Sequence, residues 1–151
     1  AGKAEFGPRA LGNRSLLCDP RTKKNKDMVN KIKKRQLYRP FAPSILKEHA
    51  DAYFEITSKC DYSYMQYVVP TKTRDFIATR HVDKSARVHT VSDDLNEVSS
   101  LRSILECWYE RTGCPTLLNT SLNIRGKPMV NDEKDVNAFE EEYGVKVFCN
   151  G

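Results

Sequence analysis

Between Asn96 and Pro128 the hydrophobic pattern changes its period once, and that change constrains the fold more than any other feature of the chain. Val98, Leu101, Ile104, Leu105 and Trp108 recur at the 3.6-residue spacing of an amphipathic helix, which the pattern places from about Asn96 to Arg111 with Gly113 as its stop. Pro115 to Asn119 then reads as a short apolar strand that runs directly into Asn, Thr, Ser and Asn, followed by a polar loop to Pro128. A helix stopped by glycine and followed by a strand with a polar tip is a unit of α/β sheets, whose ligands bind at such strand ends.

The rest of the chain continues the alternation. Asp27 to Lys34 predicts a short helix with Met28, Val29 and Ile32 inward, and Pro40 and Pro43 enforce an extended stretch because proline disfavours helix in the residue before it. A brief helix follows through Leu46 to Phe54, then a strand from Tyr64 to Val69 that Pro70 ends. Ala86 to Val91 has strand propensity, with Arg87 and His89 on one face and Val88 on the other. Glu133 to Tyr143 predicts a last helix, N-capped by Asp132 and C-capped by Gly144. The reading is a single α/β domain over residues 1–151.

A length of 151 residues suffices for one compact domain, and 39% hydrophobic against 30% charged residues excludes a disordered chain. No apolar run approaches the ~20 residues of a membrane span, and the opening residues lack the apolar core of a signal peptide. The five cysteines (Cys18, Cys60, Cys107, Cys114, Cys149) are odd in number and contain no Cys-x-x-Cys pair, which argues against a disulfide framework and a zinc site and fits a reducing cytoplasm. The chain opens without Met and reaches motif-like sequence within six residues, so it is expected to be a piece of a longer protein.

The formal charge is only +5, but residues 21–40 hold nine bases against one acid, Asp27. Such a run is either an anion-binding patch or a solvated face. It has no aromatic residue between 21 and 37, which weighs against a nucleic-acid surface.

Four constellations could carry chemistry. In Glu5 to Ser15, Arg9, Arg14 and Ser15 lie among glycines, a composition that suits an oxyanion but also an ordinary loop whose arginines cap carbonyls. Lys33, Arg35 and Arg39 differ by even steps, so an extended backbone would point all three to one face; a solvated strand edge is the bland alternative. In His81 to Arg87, the His81/Asp83 pair reads first as a structural hydrogen bond, and Arg87 stands on a rigid strand. In Leu117 to Pro128, Ser121 and Asn123 could donate to one ligand or could simply form a turn.

In this order the four stretches, Glu-Phe-Gly-Pro-Arg-Ala-Leu-Gly-Asn-Arg-Ser (5–15), Lys33-Lys34-Arg35 with Arg39-Pro40-Phe41-Ala42-Pro43, His81-Val82-Asp83 with Arg87, and Leu-Asn-Thr-Ser-Leu-Asn-Ile-Arg-Gly (118–126), resemble the C-terminal domain of the O-carbamoyltransferases. That family includes nodulation, cephem and tobramycin carbamoyltransferases. The chain departs from the family wording at Gln36 and Leu37, where Glu and Pro are usual, and at Lys84, where Gly is usual.

The resemblance implies a YrdC/Sua5-like twisted mixed sheet with flanking helices. It implies a domain that binds carbamoyl phosphate and ATP and forms carbamoyl-adenylate, with Mg2+ accompanying the nucleotide. An N-terminal actin-like domain, absent from this sequence, would hold the family's metal site and transfer the carbamoyl group to a hydroxyl acceptor, so the isolated domain could be inactive in overall transfer. Carried over residue by residue, Lys33, Arg87, Ser121 and Asn123 are the expected catalytic residues, and Arg9, Arg35 and Arg39 join them in binding the two substrates, with no metal ligands in this chain and no catalytic cysteine. The alternative is a basic RNA-binding module akin to the YrdC/Sua5 proteins that serve transfer-RNA modification.

Overall fold

The computed structural model describes residues 4–5, 7–93 and 100–149. Its centre is a four-stranded sheet in the order β1 (Ser15–Cys18), β6 (Thr116–Ser121), β2 (Ala42–Leu46), β5 (His89–Val91). β6 runs antiparallel to both β1 and β2, whereas β2 and β5 are parallel, so the sheet is mixed. A two-stranded sheet, β3 (Val68–Pro70) with β4 (Ser85–Arg87), stands beside it. The helices are α1 (Lys23–Ile32), α2 (Ala50–Tyr53, preceded by a 3-10 turn at Lys47–His49), α3 (Leu101–Thr112) and α4 (Glu133–Tyr143).

Both faces of the central sheet are covered, which is why β2 is buried at all five positions. On one face Leu46, Val91 and Leu117 pack under Leu101 and Leu105 of α3, with Trp108 at the margin. On the other, Val29 of α1 packs with Phe41, Ala78 and Leu118. A third cluster, around Ile45, Phe54, Phe76 and Val88, joins α2 and the small sheet to the core.

Pro43 sits inside β2, a central strand, where proline is rare because it has no N–H for the ladder. The register explains the tolerance. Leu46 donates its N–H to the Pro115 carbonyl on the β6 side at 3.1 Å, so by alternation the N–H groups of Pro43 and Ile45 would face β5. Pairing with β5 begins only at Ser44, opposite His89, one residue past the missing donor. Pairing of Pro43 with Leu118 on the other side is undisturbed.

The α/β reading of the sequence holds, with corrections at several elements. α1 begins four residues before the expected Asp27, capped by Thr22, and Met28, expected inward, is exposed. The expected strand from Tyr64 to Val69 shrinks to Val68–Pro70, because Met65 takes a left-handed φ of 54° and turns the preceding segment. Ala86 to Val91 is two strands belonging to different sheets. Ala86 and Val88 share one core cluster, which leaves Arg87 and His89 off it, as the period-two reading had them. α3 is described from Leu101 onward; Asn96 and Val98 of the expected helix lie outside the described residues, and Ile104, expected inward, is 43% exposed. The caps of α4 are as expected: Asp132 accepts from the Asp135 N–H, and Gly144 adopts φ 63°.

Candidate functional site

The topology brings one end of every central strand to the same edge: the start of β1, the end of β6, the start of β2 and the start of β5. Ser15 pairs with Ser121, Ala42 with Asn119, and Ser44 with His89. These residues, all polar but Ala42, continue toward the edge the face whose far half is the Leu46–Val91–Leu117 cluster. The sequence-derived candidates stand at this edge, but the structure divides them into two groups with opposite bonding states.

The first group is closed on itself. Lys33, just past the end of α1, donates its ammonium to the Ser121 carbonyl at 2.7 Å, the Asn123 carbonyl at 2.9 Å and Asn123 Oδ1 at 2.5 Å. Its three donors are thereby used. Ser121 Oγ donates to the same Oδ1 at 2.7 Å, and Asn123 Nδ2 donates to the carbonyls of Ile124 and Lys127. Burial, and after it the Arg35 charge, lowers the Lys33 pKa to about 8.

Arg35 is likewise engaged. Its Nε donates to Asn30 Oδ1 at 2.7 Å, Nη2 donates to the Pro40 carbonyl at 3.0 Å, and the guanidinium lies 4.0 Å over the Phe41 ring. Burial, followed by the Arg39 charge, lowers its pKa to about 10. The expected extended wall of Lys33, Arg35 and Arg39 is therefore corrected: Lys33 ends the helix, Lys34 takes φ 48°, and Arg35 turns back onto Asn30. Arg39 is exposed, and among the described residues its side chain has no ion-pair partner.

The second group is open. Arg9 and Arg87 line a groove of about 570 Å³ with Leu11, Tyr64, Met65 and Val68 among its walls. Neither guanidinium has a hydrogen bond or ion pair among the described residues, and the buried Arg87 Nε has no partner. Burial, with the neighbouring Arg9 charge second, shifts Arg87 below the usual guanidinium range. The half-buried Arg87 and the exposed Arg9 are like charges held near each other, and such a pair favours an anion. The groove does not include Ser121 or Asn123. Arg87 leads into β5 and Ser121 ends β6, with only β2 between those strands, a separation of roughly 10 Å of sheet.

Loop 7–14 carries Arg9 across the polar half of the sheet face. Glu5 Oε1 gathers it by accepting from the N–H groups of Leu11, Asn13 and Arg14. Asn119 pins it from below, donating Nδ2 to the Ala10 carbonyl at 3.1 Å and to Ser44 Oγ at 2.9 Å. Ser44 Oγ lies 2.8 Å from His89 Nδ1 in turn. Burial drops His89 to about 4, so the ring is neutral. Sequence reading passed over this Asn119–Ser44–His89 chain, because its members come from three strands and form no local motif. The signal that could have found it is polarity at strand positions whose neighbours are apolar.

The remaining candidates follow the bland readings. Arg14 donates to the carbonyls of Val130, Asn13 and Asn131. His81 Nδ1 sits 3.2 Å from Asp83 Oδ1 in an exposed turn that Asp83 also ties to Ser85. Within the basic run Arg21 pairs with Asp19, Lys23 with Asp27 and Lys34 with Glu142. Burial pushes the Cys18 and Cys114 thiols upward, away from thiolate chemistry.

A family model described as "Carbamoyltransferase C-terminus" matches residues 1–150. The chain is 47% identical over 139 residues to nodulation protein NolNO of Sinorhizobium fredii, covering 89% of this chain and 20% of that protein. It is 37% identical to the 3'-hydroxymethylcephem-O-carbamoyltransferase of Amycolatopsis lactamdurans, covering 95% of this chain and 27% of the relative. The chain thus spans about a fifth to a quarter of the length of these relatives. Among solved structures, full-length HypF in a phosphate- and nucleotide-bound form superposes with TM-score 0.62 over 89% of this chain and 17% of that one. At 14% identity this is a likeness of fold, and it agrees with the mixed sheet and flanking helices of the YrdC/Sua5-like expectation.

Proposed function

The chain belongs to the carbamoyltransferase C-terminal family, and on that premise we propose that it binds carbamoyl phosphate and ATP at the polar sheet edge and forms carbamoyl-adenylate. The acceptor hydroxyl is then carbamoylated in an N-terminal domain of the same polypeptide. The observation that carries this reading is the pair of guanidiniums, Arg9 and Arg87, that meet at one groove without a partner among the described residues.

The chemistry balances in two steps. Water splits carbamoyl phosphate into carbamate and phosphate; a carbamate oxygen then attacks the α-phosphorus of ATP, and the α–β bridging oxygen leaves with pyrophosphate. Both steps gather several negative charges in one place, so cations arranged beforehand supply most of the stabilisation. Arg9 and Arg87 offer free two-pronged donors to phosphate oxygens. Arg39 adds an exposed charge at the same edge. Lys33 and Arg35 act mainly as charge and scaffold, since their donors are already used. Ser121 and Asn123 orient the reacting end, and a ligand hydrogen-bonded there displaces one of their mutual bonds. No protein nucleophile is required.

These residues are cations and neutral hydroxyls or amides, and the nearby Glu5 carboxylate is engaged by backbone N–H groups. Such a donor set does not fit a resident divalent ion, so no step is routed through one; magnesium belongs to the ATP. Three bases of the run are ion-paired and residues 21–37 hold no aromatic, so the run lends no support to the RNA-binding alternative.

Calorimetric titration of ATP and of carbamoyl phosphate tests the reading. Arg87→Ala is expected to cost about 2 kcal/mol of binding, a roughly 30-fold loss. Wild-type affinity in that variant refutes the assignment. Pyrophosphate release from ATP in the presence of carbamoyl phosphate, with and without the N-terminal domain, separates a domain that makes the adenylate alone from one that needs its partner.

A further inference from the structure

The groove beside Arg9 and Arg87 holds two chemistries. One part carries the guanidiniums; the rest of the wall is mainly Pro8, Leu11, Tyr64, Met65 and Val68. Tyr64 and Val68 are 56% and 62% exposed, so large apolar groups stand in solvent next to unpaired cations. The tyrosine is held in place from below. Met65 is 5% exposed and takes φ 54°, a conformation that costs a non-glycine residue about 1 kcal/mol. Tyr62, also buried, meets the Tyr67 ring edge-on at 5.5 Å. Buried residues on either side of Tyr64 thus fix the turn that presents it.

We propose that Tyr64, flanked by Val68 and Pro8, is the platform on which the base of the bound nucleotide stacks while Arg9 and Arg87 hold its phosphates. This rests on the reading above that the groove takes ATP. A phosphate or carbamoyl phosphate has no flat apolar part and gains nothing from such a ledge. A nucleotide joins a charged group to a flat π-surface, and the groove's lining offers a partner for each. Its volume of about 570 Å³ falls inside the usual range for small-molecule sites.

The test compares two probes, ATP and base-free tripolyphosphate, in equilibrium titrations of the full chain and of Tyr64→Ala and Tyr64→Phe. Tyr64 is exposed, so both variants should fold, which circular dichroism verifies. Tyr64→Ala is expected to weaken ATP roughly tenfold, the usual worth of one stacked base, and to leave tripolyphosphate unchanged; Tyr64→Phe keeps both affinities. Unchanged ATP affinity in Tyr64→Ala, or equal loss of both probes, overturns the platform. If tripolyphosphate binds and depends on Arg87 but ATP gains nothing from Tyr64, only the platform falls. If the wild-type chain binds neither probe, the reading of the groove falls with it.

Discussion

The Lys33 ammonium donates to the Ser121 carbonyl at 2.7 Å, joining the end of α1 to the end of β6 across 88 residues of sequence. With its two further bonds to Asn123, this side chain fastens the strand-end loop to the helix on a single nitrogen. A planar guanidinium cannot place its donors around one point in that way, so Lys33→Arg should not preserve the loop. In that variant the 121–123 amides are expected to exchange at least tenfold faster, read by hydrogen-exchange mass spectrometry; unchanged protection would show that the loop holds without the lysine.

Titration of the same lysine gives a pH dependence with two signs. Its folded pKa of about 8 lies below the ordinary 10.5, so between those values the unfolded chain binds more protons, and this residue's contribution to stability rises with pH. Anion binding moves the other way, because the site loses a positive charge above about 8. ATP affinity measured from about pH 7 to about pH 9.5 should fall with an inflection near the Lys33 pKa, and Lys33→Met should remove that inflection. Its persistence in the variant would assign the titration to another group.

Arg35 and Arg39 are close in sequence but have different work. Arg35 is half-buried over Phe41 and bonded to Asn30 and Pro40, so Arg35→Ala is expected to destabilise the fold by roughly 2 kcal/mol in urea denaturation. Arg39 is exposed, and Arg39→Ala should leave the denaturation midpoint in place while weakening ATP binding.

Asn119 links the sheet to the loop that carries Arg9. Asn119→Ala leaves the Ala10 carbonyl and Ser44 Oγ without this donor and is expected to cost roughly 2 kcal/mol of stability. It should also weaken ATP binding, and Arg9→Ala in the same background should then add less than it does alone. Full additivity in that double-mutant cycle would separate Asn119 from the placement of Arg9.

Lys84 has φ 67°, at the position where the family pattern usually has Gly. A side chain in the left-handed region costs about 1 kcal/mol, partly recovered from the smaller entropy of the unfolded lysine chain. Lys84→Gly is therefore expected to stabilise the domain by roughly 0.5 kcal/mol, with ligand affinity unchanged.

The parts of this site legible in the sequence were those whose physics is local. Period and capping residues located the body of α3 and both ends of α4, and the motif stretches offered Arg9, Lys33, Arg87, Ser121 and Asn123 as candidates. Which of those side chains are free was not legible. Lys33 and Arg87 look equivalent as cations in a motif, yet one meets three carbonyl-type acceptors from a distant strand end and the other meets none among the described residues. The Asn119–Ser44–His89 chain was hidden for the same reason, since each bond crosses between strands remote in sequence. The shortening of β3 depended on one backbone angle at Met65, a residue with no intrinsic preference for it.

Pro43 has an effect well beyond its own strand. Without an amide hydrogen on the β5 side, β2 cannot extend its ladder upstream of Ser44, and the incoming chain is released to join Val68–Pro70 instead. Arg87 sits at the point of that departure, outside the ladder of the central sheet. An imino acid on one strand thus leaves a guanidinium on the neighbouring chain segment free to reach toward a ligand.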